Sequence, residues 1–97
     1  MSNYELVYIV NPNVTEEALP EMISKVTELI KKNGGNVVEV IPWGKKRFSY
    51  PVKRFTEGNY ILAKVDITPA SVKKIDASLK MDENILRHLM INVKAKA

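Results

Sequence analysis

What most constrains the fold of this chain is the order in which its hydrophobic period changes. Tyr4–Val10 (YELVYIV) is short, aromatic and β-branched, and the turn cluster Asn11-Pro12-Asn13 stops it. From Thr15 onward the period lengthens, and Leu19, Met22, Ile23, Val26, Leu29 and Ile30 recur at spacings of three and four, the stripe of an amphipathic helix. Glu16, Glu17 and Glu21 suit the positive end of its dipole, Lys31 and Lys32 the negative end, and Asn33-Gly34-Gly35 supplies a left-handed stop. Pro20 lacks a backbone donor, so the helix is expected to begin irregularly or one turn late.

The period then returns to two. Asn36–Ile41 reads as a strand that continues past Pro42 through the basic segment Trp43–Tyr50, and the proline marks it as an edge strand or a bulge. Residues 51–59 are polar and basic and contain Gly58, so the sequence predicts a loop there before Tyr60–Ile67 (YILAKVDI) resumes as a strand and closes a long hairpin. Thr68-Pro69 is a helix start, threonine as N-cap and proline in the first turn, with Val72, Ile75 and Leu79 on one face and an end near Met81. Asp82-Glu83-Asn84 turns the chain into a last strand, Ile85–Val93, followed by the tail Lys94-Ala95-Lys96-Ala97.

Strand, helix, strand, strand, helix, strand is the α+β order of the ferredoxin-like βαββαβ fold: a four-stranded antiparallel sheet with two helices on one face. At 97 residues the chain has room for one such domain, spanning residues 1–97. Alternation tells which residues point to the uncovered sheet face. In Tyr60–Ile67 the split is clean: Ile61, Ala63, Val65 and Ile67 point one way and Tyr60, Leu62, Lys64 and Asp66 the other. In the first and last strands both alternate sets are rich in apolar residues, Val7 and Ile9 against Leu6, Tyr8 and Val10, and Leu89 and Ile91 against the His88 and Met90 set. Apolar surface on the open face is expected to be covered by a partner. Arg87 falls in register with Leu89 and Ile91; it reads either as the rim of that contact or as an exposed residue paired with Asp66 or Glu5.

Composition narrows the chemistry. With 45% hydrophobic and 27% charged residues the chain is ordinary globular material. It has no cysteine, hence no disulfide or thiolate site, which fits a reducing cytoplasm. Neither a targeting pattern nor a membrane-length apolar run is present, so no membrane association is expected. There is one histidine and no glycine-rich phosphate cradle, so no nucleophile, base and orienter can be assembled from spacing, and neither catalysis nor a cofactor is expected. Asp82 and Glu83 read as helix termination and His88 as a packed strand residue rather than a metal ligand.

Charge is unevenly distributed. Residues 1–40 hold three lysines against six glutamates, whereas residues 41–60 hold Lys45, Lys46, Arg47, Lys53 and Arg54 against Glu57 alone. In that segment five cations are interleaved with Phe48 and Tyr50, and Trp43 precedes them. Cations neutralise phosphates and aromatic faces stack on unpaired bases, which is what RNA binding requires. A solvated hairpin with inward-packed aromatics fits the same pattern. Lys73, Lys74, Lys94 and Lys96 read as solubilising charge.

The run Gly44-Lys45-Lys46-Arg47-Phe48-Ser49-Tyr50-Pro51-Val52-Lys53 resembles the signature of the ribosomal protein six family: glycine, a variable residue, two basic or polar residues, leucine, a small residue, tyrosine, any residue, isoleucine and a basic residue. Phe48 stands for the leucine and Val52 for the isoleucine. The similarity extends to Tyr4-Glu5, Asn11-Pro12-Asn13, Gly34-Gly35, Trp43-Gly44 and residues 82–87, and so spans nearly the whole chain. It implies a ferredoxin-like protein, monomeric when isolated, that binds the central domain of small-subunit ribosomal RNA as a heterodimer with ribosomal protein eighteen. On that resemblance Lys45, Lys46, Arg47, Lys53 and Arg54 become candidates for phosphate contacts, and Arg87 for a contact near the protein partner, beside Val7, Ile9, Leu89 and Ile91. A small-molecule-binding regulatory homodimer on the same fold is the alternative, since fold alone does not fix function.

Overall fold

The computed structural model describes residues 2–93, so the tail of residues 94–97, with Lys94 and Lys96, lies outside the described residues. Six elements follow one another: β1 (Ser2–Val10), α1 (Leu19–Lys32), β2 (Asn36–Val52), β3 (Phe55–Ile67), α2 (Pro69–Met81) and β4 (Ile85–Asn92). The strands form one antiparallel sheet in the order β2-β3-β1-β4. This is the βαββαβ arrangement that the alternation of periods predicts.

α1 begins at Leu19, one turn after Thr15, and so places Pro20 in the first turn, where an N–H would have no intrahelical acceptor. Its end is closed by Gly34 at a φ of 83° and by the Gly35 N–H, which donates to Ile30 O at 2.9 Å. α2 starts behind Thr68 as expected, but the threonine makes no side-chain cap to the helix. Its hydroxyl instead pairs with Ser71 Oγ at 3.0 Å, and Ser71 Oγ donates to Asn33 O at 2.9 Å, so the cap residue serves to tie α2 to the end of α1.

Both helices pack on one sheet face. Tyr4, Leu6, Tyr8 and Val10 of β1 and Ile61, Ala63, Val65 and Ile67 of β3 meet Met22, Val26 and Ile30 of α1 and Ile75 and Leu79 of α2 in one buried cluster. The sets that alternation assigns to the covered face are therefore the core. A salt bridge from Lys25 Nζ to Asp82 Oδ2, 2.9 Å long, fastens α1 to the C-terminal end of α2.

The expected loop over residues 51–59 is a correction. Val52 and Phe55 pair directly, and β3 runs without interruption from Phe55. Lys53 and Arg54 alone reverse the chain, both with positive φ, 48° and 74°. Such a two-residue turn matches strand twist and is ordinarily signalled by Asn-Gly or Asp-Gly; Lys-Arg carries no such signal. Pro42 stands where a strand proline is tolerated, on the edge strand β2 next to a register shift.

Candidate nucleic-acid interface

Pairing of β3 with β1 ends at Asn59, opposite Val10, so from Lys46 and Gly58 outward β2 and β3 continue as a two-stranded arm. Lys45, Lys46, Arg47, Lys53 and Arg54 all lie on this hairpin and all are exposed. The ion pairs among the described residues include Lys25–Asp82, Lys64–Glu39, Lys80–Asp76 and His88–Asp76, and none of them involves these five cations. Their positive charge is left facing solvent.

Two irregularities in β2 shape the arm. Pro42 pairs with Ile61 and Gly44 with Tyr60, so Trp43 is an extra residue. The bulge is possible because Gly44 takes a φ of 87°, which a side chain would resist. Trp43 is thereby set over Tyr60, with ring centroids 6.5 Å apart and planes inclined by 18°. Farther out, Arg47 pairs with Glu57 and Val52 with Phe55, so residues 48–51 of β2 face Thr56 alone. Across that bulge Phe48 lies against Tyr60 as well, with ring centroids 6.0 Å apart and planes tilted by 56°. Lys46 Nζ sits 5.8 Å from the Trp43 ring centroid, within cation–π range. Trp43 remains 46% exposed and Tyr50 66%.

Gly58 completes this packing by having no side chain. A Cβ there would come within 2.5 Å of Ile9 Cγ2 and 3.0 Å of Phe48 Cζ, so the Phe48 ring can cover Ile9 only over a glycine. The sequence singles out the cations and the aromatics as types. That Trp43, Tyr60 and Phe48 meet is invisible in it, because Tyr60 lies in a different strand and both bulges must form first.

The second surface is the sheet face without helices. Registers of Ile9 with Arg87, Val7 with Leu89 and Glu5 with Ile91 put Val7, Ile9, Arg87, Leu89 and Ile91 together on it, with Tyr60 and Leu62 alongside in β3. The apolar surface is less open than alternation suggests: Ile9 and Leu62 are buried by lateral neighbours, Val7 and Ile91 are half-buried, and Leu89 is 58% exposed. Arg87 stands opposite Ile9, whereas Asp66 lies opposite Asn3 at the other end of β1, about 20 Å away at the usual strand rise, so that pair does not form.

His88 points to the core side of β4, where its Nε2 meets Asp76 Oδ1 of α2; the contact is satisfied and structural. That hydrogen bond, against some desolvation and with help from Lys80, holds the Asp76 carboxyl below its ordinary value. Asp82 closes α2: its N–H donates to Leu79 O, and its Oδ1 accepts the Asn84 N–H at 2.9 Å. Burial pushes its carboxyl up, but the Lys25 and Asn84 hydrogen bonds and the Lys25 charge outweigh that and leave it low. Burial raises the Tyr8 phenol well above its usual range. Among the described residues no three histidine, aspartate or glutamate side chains converge as a metal site, and no helix is long and apolar enough to cross a membrane.

The family model of ribosomal protein S6 matches residues 3–92. A small ribosomal subunit protein bS6 from Clostridioides difficile is 42% identical over 91 residues, covering 94% of this chain and 98% of that protein. One from Moorella thermoacetica is 36% identical over 97 residues, covering 100% and 99%. The crystal structure of 30S ribosomal protein S6 from Thermotoga maritima superposes with a TM-score of 0.89 at 23% identity, over 98% of this chain and 92% of that one, and shows the shared ferredoxin-like fold. With a family model matching residues 3–92 and relatives 36–42% identical over 94–100% of the chain, this chain belongs to the ribosomal protein S6 family, the structural and non-enzymatic proteins of the small ribosomal subunit.

Proposed function

We propose that this chain binds the central domain of small-subunit ribosomal RNA through the cations of its β2–β3 hairpin, together with ribosomal protein eighteen seated on the open sheet face, and that it does so as a monomer within cytoplasmic ribosomes. The observation that carries the RNA half is the hairpin itself. Lys46, Arg47, Lys53 and Arg54 project on one arm beyond the end of β1 and Lys45 stands at its base, all exposed and without ion-pair partners among the described residues. Phosphates condense on such an arm with release of counterions, and no salt bridge has to break first. Support for the protein half is the shared face of Val7, Ile9, Arg87, Leu89 and Ile91, an apolar strip ending in a cation, with Leu89 the largest exposed part.

The test is binding of the purified protein to a central-domain fragment of small-subunit ribosomal RNA at several salt concentrations, with and without ribosomal protein eighteen. Tight binding that weakens steeply with salt, and that needs both proteins, is the expected result. Absence of binding in both conditions, together with a stable homodimer in solution, overturns the reading in favour of a regulatory homodimer.

A further inference from the structure

Ile9, Arg47, Phe48, Tyr50, Tyr60 and Arg87 line a depression of about 200 Å³ where the hairpin arm leaves the open sheet face. Its composition differs from that of the apolar strip beside it. Arg47 comes from β2 and Arg87 from β4, the two strands at opposite edges of the sheet, yet both reach it across Ile9 of β1 and Tyr60 of β3. Neither arginine belongs to an ion pair among the described residues, and no carboxylate lines the depression. Tyr50 lines it with 66% of its surface exposed, so its ring is open to a ligand.

We infer that this depression receives one unpaired nucleotide of RNA, its base stacked against Tyr50 and the Phe48–Tyr60 pair and its phosphate held between the Arg47 and Arg87 guanidinium groups. The inference rests on the RNA reading of the hairpin and sharpens it, because the cations alone would grip any phosphate backbone, paired or not. Within a duplex the faces of the bases are occupied by their neighbours, and only a base splayed out of the stack can present a face to tyrosine. Two guanidinium forks around one site match the oxygens of a phosphate. An acidic segment of a protein partner would satisfy the arginines but would leave the aromatic walls without a planar ligand. The exposed cations Lys53 and Arg54 lie outward of it at the tip of the arm and Lys45 and Lys46 inward at its base, where the flanking backbone of the same RNA would run.

Two RNAs separate this from general backbone binding: a short duplex, and the same duplex with one bulged 2-aminopurine. Affinity of the full chain for each is measured with ribosomal protein eighteen present, and that protein alone serves as reference. The bulged duplex is expected to bind about ten-fold tighter, with quenching of 2-aminopurine fluorescence on stacking. Tyr50→Ala and Arg47→Gln should bring the ratio of the two affinities toward one, while Tyr50→Phe, which keeps the stacking face, retains it. Lys45→Ala with Lys46→Ala should lower both affinities and leave the ratio as it was. Equal affinity of the unaltered protein for the two RNAs overturns the nucleotide site and leaves the RNA reading standing. A preference that survives Tyr50→Ala and Arg47→Gln also overturns it. No binding of either RNA overturns the broader reading and the site with it. Far-ultraviolet circular dichroism and Trp43 emission establish that each variant is folded.

Discussion

Lys53 and Arg54 are the two central residues of the β2–β3 turn, at φ of 48° and 74°, between the directly paired Val52 and Phe55. Left-handed backbone costs a side-chain-bearing residue roughly 1 kcal/mol, a strain that Asn-Gly would relieve. The arm therefore holds two cations where local stability favours neither. The double substitution Lys53→Asn, Arg54→Gly should stabilise the protein by about 1 kcal/mol in urea unfolding while weakening RNA binding and reducing its salt dependence. A variant that is both less stable and undiminished in binding would contradict the assignment.

Replacing Lys45, Lys46 and Arg47 with alanine should lower RNA affinity and flatten the plot of log affinity against log salt by about 0.7 to 0.9 for each phosphate that is no longer neutralised. Stability should change by less than about 1 kcal/mol, because all three are exposed and none is in an ion pair among the described residues. An unchanged slope would remove these residues from the RNA surface.

Gly58→Ala should destabilise by about 1 to 3 kcal/mol, since the added methyl cannot fit between Ile9 and Phe48 without moving one of them. Urea unfolding measures the change. Trp43 emission should shift as well, because Phe48 and Trp43 share Tyr60 as a neighbour.

Leu89→Thr should leave the unfolding midpoint nearly unchanged, because the leucine is mostly exposed and threonine suits a strand. Affinity for ribosomal protein eighteen should fall about five-fold or more if the open face is its seat. Titration calorimetry with the two purified proteins reads this directly.

Asp76 and Asp82 both have folded-state pKa values held below the ordinary carboxylate range, by His88 with Lys80 and by Lys25 with Asn84. A depressed folded value means that the charged form is favoured by folding, so the stabilisation is complete above the unfolded value near 4 and is lost as pH falls through the folded values. Asp82→Asn should cost about 1 kcal/mol at neutral pH, and the gap to the unaltered protein should close below about pH 4. Acid titration followed by circular dichroism checks both parts.

Much of the fold was readable because it is written in local periods. The three- and four-residue spacing of Leu19 to Ile30 needs only a helix to bring one face together, and the two-residue alternation of Ile61 to Ile67 needs only an extended chain. Pro42, Pro69 and the Asn33-Gly34-Gly35 stop act on their own backbone and mark an edge strand, a helix start and a helix end wherever the chain goes. By the same logic alternation placed Arg87 with Leu89 and Ile91, and the registers of β1 and β4 put Val7 and Ile9 beside them. Strand register and bulges belong to no single stretch of sequence. They come from pairing between segments far apart in the chain, and so tertiary structure alone decided that Lys53-Arg54 is a tight turn and that Ile9 and Leu62 are sheltered on the open face. For the same reason it alone decided that Trp43 and Phe48 close on Tyr60 while Arg47 and Arg87 reach one depression from opposite edges of the sheet.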